Sequence, residues 1–390
     1  MAFSTENYEE MKMIDPERLA ETFSSLVQID SVSRNEAAIC SELRNILNDM
    51  GAETFVDDAG NAVGGNTGNL IARFRGNVDV PVMMLNAHMD TVEPGNGVKP
   101  VYKDGVFTSD GTTILGADDK SAVAILLEVL TVLQEDSLPH GPLEVVLTIC
   151  EEIGLQGAKN LDISQLTAKF GYALDATDTA GIVTRAPGAN HLKFMVYGKD
   201  AHAGAAPEKG INAIVIASKA IAGLTIGRID HETTCNIGVI QGGMATNIVP
   251  SQVMINGEVR SHDPKKLADL TQTIVSAFET AVQDYVPQSA EAGRPRLEVE
   301  IMPDFTRTHI PDDHPVVILA MNAAQNLGRT LIPKITGGGA DANVFFSKGI
   351  MTGVLGTGMR DMHTVREWVS LSDMLLTTEL VLEIIRLHAL

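Results

Sequence analysis

The sequence contains few cysteines and lacks long apolar runs. Its three cysteines, Cys40, Cys150 and Cys235, lie far apart, which excludes a disulfide framework and a zinc-finger spacing. No apolar stretch approaches the length that spans a bilayer, and the first 20 residues contain no signal-peptide core. We therefore expect a cytoplasmic protein in which Cys150, inside an apolar run, is a small buried side chain.

Basic residues are also scarce relative to acidic ones. The chain has 29 Lys and Arg against 50 Asp and Glu, a formal net charge of −21. This charge argues against nucleic acid and anionic membranes as partners. With 44% apolar and 20% charged residues, the composition is that of a folded globular protein. At 390 residues the chain is too long for one ordinary core, so we expect two domains.

Two different orders of strands and helices occur along the chain. Residues 1–187 and 304–390 alternate strand and helix patterns, which predicts an α/β domain with a largely parallel sheet. Residues 188–303 predict the β-α-β-β-α-β order of the ferredoxin-like split motif. Its predicted elements are strand 190–198, helix 209–224, strands 234–241 and 251–260, helix 264–285 and strand 296–302. The second module is therefore inserted into the first domain.

Histidines and carboxylates follow the predicted strands of the α/β domain or begin a helix. Open α/β sheets bind ligands outside the carboxyl ends of their strands, so side chains at these ends converge. A set of imidazoles and carboxylates from separate segments suits a metal ion of borderline to hard character. The candidates are His88, Asp90, Asp118, Asp119, Glu151, Glu152, Asp175 and His363.

Each of these motifs is weak when it is considered alone. In HMD, Asp90 can stand behind His88, because residues two apart in an extended segment point the same way, but three-residue motifs recur by chance. The aspartates of ADDK are also favoured helix caps. The glutamates of EEIG can be a solvated pair at a strand end. Only the convergence of the segments favours a metal site.

The order and spacing of the segments resemble a known family. It comprises the di-zinc metallopeptidases that include peptidase T (tripeptide aminopeptidase), carboxypeptidase G and the succinyl-diaminopimelate desuccinylases. The resemblance covers nearly the whole chain, with the closest likeness to the peptidase T branch in GADDK and EEIGLQGAK. The other matching segments are LVQIDSVSRNE, LNAHMDTVEPG, ALDA, GKDAHAGAAPEKGINAI, ATNIVP, GEVRSHD, GGGADANVF and HTVREWV. The wording MHTVREWV departs from that branch and leaves strict tripeptide specificity open.

This resemblance implies a zinc-peptidase (phosphorylase/hydrolase-like) catalytic domain, residues 1–187 and 304–390, with an inserted ferredoxin-like lid or dimerisation domain, residues 188–303. It implies two Zn²⁺ per subunit, for which Co²⁺ or Mn²⁺ can substitute. One ion would be bound by His88, Asp118 and Asp175, and the other by Asp118, Glu152 and His363. Asp118 would then bridge the two ions, and the family places a cis peptide bond after it.

The resemblance also implies roles for residues that bind no metal. Glu151 would be the general base and Asp90 would orient His88. In the inserted domain, His202 would reach a partner subunit's site and polarise the scissile carbonyl. Asn247, Arg260 and the backbone at Gly338 would bind substrate. Each of these residues also has a purely structural interpretation. His202 can be a loop histidine and Asn247 a turn asparagine. Arg260 can pair with a nearby carboxylate, and Gly338 can be part of a glycine turn.

We therefore expect a homodimeric, two-zinc aminopeptidase acting on short peptides. An N-acyl amino acid amidohydrolase or a carboxypeptidase would use the same chemistry. A non-catalytic metal-binding scaffold is disfavoured because Glu151 and Asp90 are both present. A di-metal phosphoesterase is disfavoured because no cationic phosphate clamp lies near the ligand segments.

Overall fold

The computed structural model describes residues 14–390, which form two compact units. The described part of unit 1 comprises residues 14–184, 309–336 and 340–390, and unit 2 comprises residues 185–308 and 337–339. Residues 1–13 lie outside the described residues. They include the start of the predicted catalytic domain and part of the segment in which the sequence shows no signal-peptide core. The predicted insertion 188–303 falls within unit 2, and its role as a lid or dimerisation domain stays a prediction.

The described residues contain ten α-helices and seventeen strands. The helices α1 to α10 are Pro16–Val27, Ala37–Asp49, Ala59–Val63, Ala117–Glu135, Gln156–Asn160, Ala213–Ala222, Pro264–Gln283, Pro315–Asn326, Asp341–Ser347 and Leu371–His388. The strands β1 to β9 are Glu53–Val56, Leu70–Phe74, Met83–His88, Pro100–Lys103, Val106–Ser109, Leu143–Thr148, Phe170–Ala176, Gly181–Ala186 and Gly188–Tyr197. The strands β10 to β17 are Gly227–Arg228, Thr233–Gly242, Gln252–Ser261, Arg296–Phe305, Thr308–His309, Ile332–Ile335, Met351–Gly356 and Trp368–Ser370. None of the helices in residues 14–390 has the length and apolar character that crossing a membrane demands.

The main sheet of unit 1 is mixed rather than largely parallel. Its strand order is β1-β2-β6-β3-β7-β16-β8-β14, with β15 beside β8. The central strands β6, β3, β7 and β16 are parallel, whereas β2 pairs with β6 and β8 pairs with β16 in antiparallel fashion. The expectation of a largely parallel sheet is therefore wrong for the outer strands. Only residues 177–180 join β7 to β8, too few for the crossover that a parallel strand requires.

The central strands and helix α4 place the candidate residues at one edge of this sheet. Every residue of β3 and β6 is buried, as expected for strands covered on both faces. Because β3, β6 and β7 are parallel, their carboxyl ends lie side by side. His88, the last residue of β3, is in register with Thr148, the last residue of β6. Asp175 lies near the end of β7, so the segments after these strands emerge at the same edge.

Unit 2 contains the predicted β-α-β-β-α-β elements as β9, α6, β11, β12, α7 and β13, with the two-residue strand β10 added between α6 and β11. Its antiparallel sheet has the strand order β10-β11-β12-β9-β13, and α6 and α7 pack on it. Phe194 of β9 stacks on Phe278 of α7 with ring centroids 4.1 Å apart. The predicted helix 209–224 begins later, at Ala213, because Asn212 caps α6 by accepting the N–H of Val215.

Tyr172 of β7 provides a test of the packing that supports this edge. Its buried hydroxyl donates a 2.7 Å hydrogen bond to the carbonyl of Val316 in α8. Tyr172→Phe should lower the free energy of unfolding by about 0.5–1.5 kcal/mol, the net value of one such bond. The control Tyr102→Phe removes a hydroxyl from a half-exposed side chain of the same unit and should have a smaller effect. Equal midpoints and slopes for the two variants in urea denaturation would contradict the assigned bond.

Candidate metal centre

Asp118 contacts two histidines that come from opposite ends of the chain. His88 is 2% exposed, and its Nε2 lies 3.0 Å from Oδ1 of Asp118. Nε2 of His363 lies 3.3 Å from the other carboxylate oxygen, Oδ2. Asp118 stands in the first turn of α4, so the two imidazoles meet at the start of the helix. A carboxylate that presents one oxygen to each of two imidazoles has the arrangement of a bridging group.

Glu152 and Asp175 complete two overlapping groups of potential ligands. Oε2 of Glu152 lies 3.0 Å from Nε2 of His363. One ligand atom from each of His88, Asp118 and Glu152 lies within 4.8 Å of the others. Ligand atoms of Asp118, Asp119 and Asp175 also lie within 4.8 Å of one another and form a second group. Asp118 therefore belongs to both groups. In this arrangement His88 lies with Glu152, whereas the resemblance pairs it with Asp175.

Asp119 belongs to the cluster, although the resemblance assigned it no metal. Its Oδ2 accepts the backbone N–H of His88 at 3.1 Å. Its other oxygen is buried and has no hydrogen-bond partner among residues 14–390. The peptide bond between Asp118 and Asp119 is cis, which confirms that prediction. The one sequence signal for Asp119 was its position beside Asp118 in ADDK.

Asp90 connects His88 to the segment that carries the two glutamates. Nδ1 of His88 lies 2.9 Å from the backbone carbonyl of Asp90 and 3.4 Å from its Oδ1. The Asp90 carboxylate also accepts the backbone N–H groups of Glu151 at 2.9 Å and Glu152 at 3.3 Å. Since the carbonyl can only accept, Nδ1 carries a proton, and Nε2 is the nitrogen whose lone pair can bind a ligand when the ring is neutral. Asp90 thus positions the glutamates as well as the imidazole.

The segment 26–36, for which the sequence suggested no individual roles, supports the same turn. The hydroxyl of Ser33 donates to Oδ2 of Asp90 at 2.6 Å. Oε1 of Glu36 accepts the backbone N–H of Cys150 at 3.0 Å and its thiol at 3.2 Å. Cys150 is buried, as predicted, and its φ of 52° lies in the left-handed region. These bonds hold an unfavourable backbone conformation directly before Glu151.

Burial and mutual repulsion make this cluster electrostatically unfavourable for carboxylates. Burial, and then the charge of Asp175, raises the pKa of Glu151 well above its usual value. Burial, and then the charge of Asp118, does the same to the pKa of Asp175. The pKa of Asp119 is also raised well above its usual value, chiefly by burial. Carboxyl groups in this condition either bind protons or need a positive partner.

The two imidazoles supply part of the positive charge. Hydrogen bonds with Asp118 and Glu152 raise the pKa of His363 to about 10. Burial opposes the charged form of His88, but the carboxylates of Asp118 and Asp90 outweigh it and raise the pKa. The pKa of Asp118 is lowered because the two histidines outweigh its burial. Oε1 of Glu152 is nevertheless buried without a hydrogen-bond partner among the described residues, so one acceptor remains for a cation.

In unit 2, the structure brings His202 and Asn247 together. His202 is exposed, and its Nδ1 accepts the backbone N–H groups of Gly204 at 3.2 Å and Ala205 at 3.1 Å. The backbone N–H of Ala203 donates to the carbonyl of Asn247 at 2.9 Å. The imidazole therefore has a defined orientation, with Nδ1 as acceptor and the proton of the neutral ring on Nε2.

Arg260 and Gly338 form a separate group in unit 2. Nη1 of Arg260 donates to the carbonyl of Gly337, next to Gly338, at 3.3 Å. Its Nη2 lies 3.1 Å from Oε2 of Glu258, which is the pairing with a nearby carboxylate that the sequence allowed. Nε of Arg260 is buried and has no hydrogen-bond partner among residues 14–390.

Comparison with known proteins places the chain in a family. The family described as peptidase family M20/M25/M40 matches residues 84–387. The crystal structure of aminopeptidase PepT from Bacillus cereus is 44% identical and has a TM-score of 0.87, covering 97% of this chain and 100% of that one. A tripeptidase structure from Staphylococcus aureus is 40% identical with a TM-score of 0.90, covering 97% and 99%.

A curated relative extends the same likeness. The protein YqjE of Bacillus subtilis (strain 168) is 44% identical over 375 residues, covering 96% of this chain and 99% of YqjE. The family match extends from β3 to α10 and includes every segment of the cluster. The chain therefore belongs to peptidase family M20/M25/M40, as one of its peptidase T-like members.

Proposed function

We propose that this chain is a two-zinc aminopeptidase of the peptidase T type, which removes the N-terminal residue from short peptides. The observation that carries the proposal is the position of Asp118, whose two oxygens face His88 and His363 separately. The Bacillus cereus aminopeptidase and the Staphylococcus aureus tripeptidase support this substrate class, since each is at least 40% identical over nearly the full chain.

In this proposal the cluster binds two divalent cations. As the resemblance implies, His88, Asp118 and Asp175 would hold one ion, and Asp118, Glu152 and His363 would hold the other. His88 would then share an ion with Asp175 and not with Glu152, its neighbour in the first group of ligand atoms. Imidazole nitrogens and carboxylate oxygens are common zinc ligands, and Co²⁺ and Mn²⁺ accept the same donors. The unpartnered Oε1 of Glu152 and the raised pKa values of the buried carboxyl groups support a cationic occupant.

Glu151 is the general base in this proposal. When bound, the two cations supply Lewis-acid activation of the attacking water and of the scissile carbonyl. Glu151 takes the proton from the water and passes it to the leaving amine. Burial and the carboxylate of Asp175 raise the pKa of Glu151, which favours holding the transferred proton between the two steps. Asp90 keeps this base in place by accepting its backbone N–H.

Unit 2 supplies substrate-binding groups in this proposal. His202 polarises the scissile carbonyl, while Asn247, Arg260 and the backbone at Gly338 bind the peptide. The planar guanidinium of Arg260 suits a substrate carboxylate. We also propose a homodimer formed through unit 2, in which His202 serves the partner's site. The three cysteines are free and buried, which agrees with a cytoplasmic location.

The proposed specificity is tested on a small panel of substrates. Zinc-loaded protein should cleave tri-alanine, should cleave Ala-Ala more slowly, and should leave N-acetylated tri-alanine intact because it lacks the free amino group. Purified Glu151→Gln protein serves as the control for contaminating peptidases. Preferential cleavage of N-acetyl-methionine would instead assign an amidohydrolase, and cleavage of a folate-like glutamate amide would assign a carboxypeptidase. Hydrolysis of phosphate monoesters alone would overturn the peptidase assignment.

The adjacent glutamates should respond differently to the same substitution. Glu151→Gln should bind two zinc ions but lose about 10²–10⁴-fold in kcat, because only the base is removed. Glu152→Gln should lose metal, mainly from one site, because a ligand is removed. Metal content by atomic absorption and kcat are measured on the same preparations. Equal metal content together with equal residual activity would contradict this division of roles.

Two inactive variants test the role of His202 across subunits. His202→Ala should lower kcat by about 10²–10³-fold with zinc content unchanged, as expected for one oxyanion donor. Mixing it with Glu151→Gln should restore part of the activity, because a mixed dimer contains one site with both groups. If labelled subunits exchange and no activity returns, His202 does not act in the partner's site.

A further inference from the structure

Glu367 is a buried carboxylate that lies four residues beyond His363. It is 2% exposed. Within residues 14–390, its carboxylate forms hydrogen bonds with main-chain N–H groups and no ion pair with a basic side chain. Oε2 accepts the backbone N–H groups of Leu115 at 2.8 Å and Gly116 at 2.7 Å. Oε1 accepts the backbone N–H of Asp118 at 2.9 Å. One side chain thus satisfies three main-chain donors in the turn that leads into α4.

The residues around Glu367 form the base of the loop that carries His363. Arg360 and Trp368 exchange backbone hydrogen bonds of 2.9 and 3.1 Å and close this loop. His363 itself has a φ of 61°, and its side chain is 56% exposed. An imidazole with so little surrounding packing depends on the base of its loop for its position. Glu367 links that base directly to the N–H of Asp118.

We propose that Glu367 is a positioning residue, which fixes Asp118 and His363 relative to each other so that both can bind one cation. The inference rests on the proposed metal-binding roles of these two residues. It adds that Glu367 influences the affinity of the site formed by Asp118, Glu152 and His363. An ionised carboxylate suits this task because each of its oxygens accepts and neither has a hydrogen to donate. In a Glu367→Gln variant, the side-chain NH₂ replaces one of the two acceptor oxygens. This NH₂ is a donor and would face at least one main-chain N–H, so the three hydrogen bonds could not all be retained.

Glu144 is a matched control for Glu367. It is also 2% exposed, and it accepts the backbone N–H groups of Thr167 and Ala168 at 3.0 Å, together with the Thr167 hydroxyl at 2.8 Å. It lies near the start of β6, whereas the candidate ligands follow the carboxyl end of this strand. Glu144→Gln therefore removes a similar buried acceptor from the same unit without touching the turn of Asp118.

The test titrates metal-free proteins with zinc against a chromogenic chelator. The native protein should bind two ions, and Glu367→Gln should bind one of them about 10–100-fold more weakly, as is typical for partners of metal ligands. Glu144→Gln should keep both affinities within about twofold of the native values, on the ground that its bonds lie outside the turn. Native affinities in Glu367→Gln, or equal losses in the two variants, would overturn the proposal.

Hydrogen exchange separates this inference from the proposed function. In the metal-free state, Glu367→Gln should exchange the amides of Leu115, Gly116 and Asp118 faster than the native protein, whereas Glu144→Gln should not. If the native protein binds fewer than two ions, the proposed function fails, while unchanged exchange in Glu367→Gln overturns the role of Glu367 alone. If Glu367→Gln does not fold, Glu367→Asp retains the charge on a shorter side chain and should show the same changes to a smaller degree.

Discussion

The concentration of buried carboxylates at one edge of the main sheet is the constraint on which the site depends. Five of them, Asp118, Asp119, Glu151, Glu152 and Asp175, lie with two imidazoles after the parallel strands and at the start of α4. Their burial and mutual repulsion raise most of their pKa values, so the fold carries an electrostatic cost here. Bound divalent cations would offset that cost, which links metal affinity to the stability of this edge.

A second group of carboxylates holds the cluster in place by accepting main-chain N–H groups. Asp90 accepts from Glu151 and Glu152, and Glu36 accepts from Cys150. Glu367 accepts from three residues of the turn before α4. Main-chain donors stabilise these charges without adding cationic side chains that would compete with a metal ion for the ligands. The local backbone is therefore organised by acidic residues at two levels, the ligands and their supports.

The sequence predicted the fold where local pattern and chain order suffice. The elements of the predicted β-α-β-β-α-β order of residues 188–303 are found in unit 2, with the short strand β10 added. The strands β3 and β6 are mostly apolar and fully buried, as expected of central strands. The direction of the outer strands was not predicted correctly, because an apolar run has the same appearance in a parallel and an antiparallel strand. The short connection between β7 and β8 decides that direction.

The sequence by itself determined which residues could form the cluster, since His88, Asp118, Glu152, Asp175 and His363 all follow strands or begin a helix in an α/β pattern. Only the tertiary structure decided how they meet: one oxygen of Asp118 for each histidine, and Asp119 beside them. It also brought the carboxylate of Glu367 within hydrogen-bond distance of the backbone N–H of Leu115, which lies 252 positions away in the sequence. Periodicity and spacing describe neighbours in sequence, whereas a hydrogen bond between distant segments depends on where the whole fold brings their backbones together.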